Sequence, residues 1–262
     1  MAKQSAWAAF PHPDQAFDYP VAELKKHWAR LHLGDKEPLP REAKLLEAWR
    51  RYHRGDFQQA VELGLELGLP GYAVANKAAA IYANYLEPGK AKKLKLLEEV
   101  GKRAEQAIAA LPEHANSHYL YAYALGRRSQ YASVMEALAQ GIGGKIRDAL
   151  ARTLELEPRH AEAHTAVGVY HAEIIDKVGA MLGGLTYGAS RDEGLKHFRK
   201  ALELHPHSAI ARVEYSGGLL MMYGKSRLDE ATQLMVQASE IEPADAMERL
   251  DVELARSRLE EG

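Results

Sequence analysis

Three histidines in the stretch PRHAEAHTAVGVYHAE, residues 158–173, have the type and spacing for metal chemistry. An α-helix turns about 100° per residue, so spacings of four and seven bring His160, His164 and His171 back to one face. Glu162 and Glu173 stand nearby, and imidazoles with a carboxylate could hold zinc. A zinc site needs three or four convergent ligands with groups that orient them, so one helix face must find partners elsewhere. The alternative is packing: His164 and His171 against a partner helix, and His160 exposed in a turn. No metal is expected on balance.

Other chemistry finds less footing. In QGIGGKI, residues 140–146, Ala139 stands where a phosphate-binding loop needs its first glycine, and Ile146 stands where it needs a hydroxyl. The glycines there suit a tight turn between helices. The basic run KAKKLKLLEEVGKR, residues 90–103, is diluted by Glu98 and Glu99 and reads as a solvated helix face. No serine, histidine and acid constellation stands in a nucleophile context, so neither an enzyme nor a cofactor is expected.

The totals narrow the class further. The chain has 262 residues, 34 basic and 36 acidic, for a formal charge of −2. Such balance argues against a nucleic-acid partner. There is no cysteine, which excludes disulfides, thiolate metal sites and cysteine nucleophiles. No apolar run approaches the ~20 residues of a membrane span. The N-terminus is too short in apolar residues and too polar for a secretory leader, so a soluble, cytoplasmic protein is expected.

The elements that position these residues are helices. Alanine, leucine, glutamate, lysine and arginine dominate, and no long period-two alternation occurs. Pro11, Pro13 and Pro20 make the first twenty residues irregular. VAELKKHWARLHLG follows as one amphipathic helix, so residues 1–40 form an irregular segment plus a capping helix. Helix pairs then fill 41–243, about five of them: 41–70, 71–111, 114–157, 160–205 and 208–242. ADAMERLDVELARSRLEE closes the chain at 244–262 as a charged helix, the polar cap that a stacked array needs.

The pairs repeat. IRDALARTLELEPRHAEAH, GLKHFRKALELHPHSAIAR and ATQLMVQASEIEPADAMER align at Pro158, Pro206 and Pro243. Small Thr153, Ala201 and Ala238 sit five residues before the proline, and larger Leu150, Phe198 and Met235 sit eight before. Small residues let helices approach, larger ones fill the space beside them, and proline ends the helix. GDFQQA at 55–60 marks the turn within the first pair, and Gly168 follows Pro158 by ten.

These residues resemble the tetratricopeptide repeat over roughly 41–243, which implies an all-α fold, a TPR-like solenoid of stacked antiparallel helix pairs. The proline intervals of 48 and 37 residues depart from the usual period of about 34. The excess lies in RRSQYASVMEALAQGIGG and IIDKVGAMLGGLTYGAS. This uneven spacing, with Lys145, Pro158 and Gly168, is similar to the regulator of microtubule dynamics family. That family includes organelle-associated adaptors, and a lipid-binding role has been proposed for such a repeat domain.

The resemblance also implies a groove. Its positions, seven and eleven residues after each proline, are Tyr119 and Tyr123, Thr165 and Val169, and Val213 and Gly217, with Lys77, Ile81 and Asn84 from the second pair. Leu220, Met221 and Met222 extend its apolar character. The superfamily's carboxylate clamp wants lysine and asparagine that the last three first helices lack. The repeat also places large packing residues where His164 and His171 fall.

Three functions follow as expectations. The first is a scaffold that binds a peptide or protein partner in its groove. The second is a carrier of a lipid or other apolar molecule. The third, least favoured, is a histidine-dependent metal protein. The apolar insertion VGAMLGGLTYG, 178–188, covers the groove, lines its mouth, meets a second subunit or simply packs on the neighbouring pair.

Overall fold

The computed structural model describes residues 7–131 and 140–261, and it is all-α, with no strand among them. Helix α1 (Val21–Leu31) precedes the pairs α2 (Ala43–Arg54) and α3 (Phe57–Glu66), α4 (Tyr72–Tyr85) and α5 (Lys90–Ala110), and α6 (Ala115–Ser129) and α7 (Ile142–Leu156). The fourth pair, α8 (Ala161–Val178) and α10 (Arg191–Leu204), is interrupted by the short α9 (Ala180–Tyr187). The pair α11 (Ala209–Tyr223) and α12 (Leu228–Ser239) and the closing α13 (Ala246–Glu261) complete the chain. The linker before α7 falls largely on 132–139, with Ala139, outside the described residues.

The stacking follows from the repeat positions. Thr153, Ala201 and Ala238 are fully buried where helices approach, and Leu150 and Phe198 fill the space beside them. Gly168 of α8 lies against Phe198, and a β-carbon there would stand 2.7 Å from the ring. Gly55 ends α2 with φ of 92°, a conformation that favours glycine, and its open side receives Phe10 of the N-terminal segment. Trp7 of that segment stacks on Tyr82 at 3.9 Å between ring centroids.

The last helix departs from the polar cap expected of it. Ala246, Val252 and Ala255 of α13 are fully buried, and the helix packs on α11, α12 and also α2. Its buried acidic residues Glu248 and Asp251 have partners from the first third of the chain. Arg30 donates twice to Glu248, at 2.6 and 2.9 Å, and Tyr85 donates to Asp251. The charged sequence therefore serves contacts within the molecule, and α13 closes the array back onto its beginning.

The insertion at 178–188 forms its own helix. Gly179, with φ of 83°, separates α9 from α8, and buried Gly183 lets α9 approach Ile174. Met181 and Leu185 face outward, each 82% exposed. Among the described residues no helix is long and apolar enough to cross a membrane.

Candidate functional site

Helices α6 and α8 are the first helices of successive pairs, and they touch near their ends. At one end His160 Nε2 donates to Asn116 Oδ1 at 2.8 Å, and at the other Gln130 donates to Glu173 at 2.9 Å. Between these contacts several lining side chains are small or short, Ala122 and Gly126 on α6 and Thr165 and Ala166 on α8, beside the larger Tyr119 and Tyr123. They leave a half-open cavity of about 180 Å³, comparable with cavities that accept a benzene-sized guest. Ile142, Ile146 and Leu150 of α7 add apolar wall, and Glu214, Met247 and Asp251 also line it.

Of the residues expected in the groove, Ile81, Tyr119, Tyr123, Thr165 and Val169 line this cavity. The remaining five lie elsewhere. Lys77 is buried, and its ammonium donates to Asp35 and, at 2.9 Å, to Glu162. Val213 is fully buried in a cluster with Val252 and Ala255, because α13 covers the surface it would otherwise present. Asn84 is half-buried beside Lys93, Gly217 is half-buried on α11, and Leu220 is 41% exposed at the far end of that helix.

Sequence reasoning missed Tyr85, Arg127, Glu162, Met247 and Asp251, which also line the cavity. Tyr85 and Arg127 stand one turn beyond Ile81 and Tyr123, so helical periodicity carried a signal for them. Met247 and Asp251 come from the helix that closes the fold, and nothing local marks them.

The charged residues are mostly paired. Arg127 donates to Glu214 at 2.8 Å, with its guanidinium 5.2 Å from the centroid of the Tyr123 ring. Lys177 lies 3.5 Å from Glu173. Burial raises the carboxyl of Glu162 above its ordinary range, while Lys77 pulls it back. Asp251 accepts from the Tyr85 hydroxyl. Burial, reinforced by Glu248, Asp245 and Glu162, holds its carboxyl well above the ordinary range.

The histidines do not converge on a metal. His160 is fully buried, which corrects its expected exposure. It caps α8, with Nδ1 accepting from the Ala163 amide at 3.0 Å, and its bond to Asn116 holds the ring between α8 and α6, away from water. Both ring nitrogens of His164 have partners, His197 at 2.9 Å and the Pro158 carbonyl at 3.1 Å. His171 is buried and accepts from the Ser190 amide. Among the described residues no group of three or more histidine, aspartate and glutamate side chains is placed to hold a metal ion.

Known proteins place the chain. The profile described as regulator of microtubule dynamics protein 1-3 matches residues 54–260. A solved structure of TTC0263, a thermophilic TPR protein in Thermus thermophilus, is similar at a TM-score of 0.57 and 19% identity. The match covers 82% of this chain and 97% of that one, and at this identity it speaks for the fold. No curated protein matches by sequence. The helix pairs, their uneven spacing and the family match together make this chain a member of the regulator of microtubule dynamics protein 1-3 family.

Proposed function

We propose that this chain is a non-enzymatic scaffold of the cytoplasm that holds a peptide or protein partner in the cavity between α6 and α8. The observation that carries this reading is the cavity itself, half-open and walled by Tyr119, Tyr123 and Val169 where helices of a packed solenoid would otherwise touch. Tyrosines offer broad apolar area with a polar tip, a combination that recurs at binding surfaces. The two aliphatic lining hydroxyls are engaged within their own helices: Thr165 Oγ1 donates to the Ala161 carbonyl and Ser129 Oγ to the Gly126 carbonyl.

Gly126→Leu tests this reading, because a β-carbon at Gly126 meets nothing within 4 Å and the side chain would fill the space. Combined with Tyr123→Ala, it is expected to abolish partner capture in a pull-down while leaving helical circular dichroism unchanged. Unchanged capture would remove the proposal. A second reading, an apolar-ligand carrier, draws on the apolar wall that Ile142, Ile146 and Leu150 give the cavity. It requires a co-purifying lipid or fatty acid in native mass spectrometry, and a clean mass from repeated preparations would sink it.

A further inference from the structure

We infer that the cavity between α6 and α8 selects a cationic side chain of its partner, a lysine or arginine whose alkyl stem lies along the apolar wall and whose charge meets Asp251. This rests on the peptide-binding reading above and specifies the chemistry of the same site. The argument is one of charge complementarity. Four carboxyl groups line the cavity, Glu162, Glu173, Glu214 and Asp251, against two cations, Arg127 and Lys177. Arg127 is held by Glu214 and Lys177 by Glu173. Glu162 shares Lys77 with Asp35. Among the described residues Asp251 has no cationic partner, and its single side-chain hydrogen bond comes from Tyr85.

Asp251 is 3% exposed and lines the cavity. A carboxylate buried without a counter-ion is costly, and the ordinary remedies are protonation or a cation brought to it. Burial and the neighbouring carboxyls push Asp251 towards the first remedy in the free protein. A lysine or arginine supplies the second, because its methylene stem suits an apolar wall while its head carries the charge. The nearby tyrosines Tyr85 and Tyr119 add ring faces and hydroxyls that favour a cation over an anion. An anionic head group forms no such ion pair, since Asp251 would have to stay protonated beside it.

Three probes that differ only at the head, n-hexylammonium, n-hexanol and n-hexanoate, test the inference by nuclear magnetic resonance titration of the full chain. Hexylammonium is expected to bind at least about tenfold tighter than the other two, the scale of one charge-assisted hydrogen bond. In Asp251→Asn, which can still accept from Tyr85, hexylammonium should fall to within about twofold of hexanol. Binding to wild-type protein should also release a proton as Asp251 ionises, read by calorimetry in buffers of different ionisation enthalpy.

Hexanoate binding as tightly as hexylammonium, a preference that survives Asp251→Asn, or no binding by any probe would overturn the inference. Partner capture lost on cavity filling, with no ammonium preference, would leave the scaffold reading standing and remove only this one. An ammonium preference with unchanged capture would remove the scaffold reading, and with it the partner's side chain, and leave a cavity selective for a small cation.

Discussion

His53 and Asp245, 192 residues apart, are joined by a buried hydrogen bond of 2.7 Å between Nδ1 and a carboxylate oxygen. His53 Nε2 lies 3.2 Å from His32 Nε2, and His32 Nδ1 lies 2.9 Å from Asp35. Burial lowers the pKa of His53 although Asp245 draws it up. The four side chains tie α1 and α2 to the start of α13.

Asp245→Ala should therefore act as a long-range break. It removes the His53 partner and the carboxylate that accepts from the Glu248 amide at 2.8 Å as a helix cap. The expected loss is about 3–5 kcal/mol, the scale for leaving one member of a buried pair alone, read from urea unfolding. A loss under about 1 kcal/mol, no more than a helix cap by itself, would mean that the two ends are held by other contacts.

Lys77 offers a second break whose logic can be checked by a cycle. Its ammonium serves Asp35 and Glu162, both in contact with it away from bulk water. Lys77→Met should cost about 3–5 kcal/mol by leaving buried Asp35 without its ammonium, with only the His32 ring and the Glu37 amide as partners. Adding Asp35→Asn should restore part of that loss, because the uncompensated charge goes with it. Strictly additive losses in the double variant would contradict the pairing.

Two glycines should respond in opposite directions. Gly168→Ala places a methyl 2.7 Å from the Phe198 ring and is expected to cost about 1–3 kcal/mol, with recovery in Phe198→Leu. Gly126→Ala adds a methyl in open space on a helix, and should gain about 0.5–1 kcal/mol from helix propensity. Thermal unfolding of both variants side by side tests the packing, and a shift of the same sign in each would contradict it.

The same contrast shows what the sequence could tell. Gly168, Phe198 and Ala201 were legible because their roles repeat with the prolines, and a period is a local signal. Tyr119, Tyr123, Thr165 and Val169 could be placed on first helices by register alone. The burial of His160 could not, because it depends on Asn116, 44 residues away. Nor could the docking of α13. Glu248 and Asp251 look solvated by residue type, and their partners Arg30 and Tyr85 lie 218 and 166 residues back. Register also left Val213 in the groove, since it says nothing of what a later helix covers.

The buried histidines give the fold a pH dependence of predictable sign. Burial pushes His160 down to about 3 and His197 and His205 down to about 4, with neighbouring cationic groups adding to the last two. An unfolded histidine titrates near ~6.5. Below that pH the unfolded chain binds protons that the folded chain does not, so stability falls as pH is lowered. Each such histidine contributes about 1.4 kcal/mol per pH unit until its folded value is reached. The raised carboxyls of Asp251, Glu162 and Glu248 act with the opposite sign, since their stabilisation is lost as pH rises through their folded values. His160→Gln isolates one histidine from this mixture, because glutamine can still cap α8 and donate to Asn116. Whatever their difference at pH 7.5, the wild type should lose about 2–3 kcal/mol more than the variant between pH 6.5 and 4.5. Parallel urea midpoints across that range would show that His160 is protonated in the fold, and that the seat between α6 and α8 is wetter than its geometry requires.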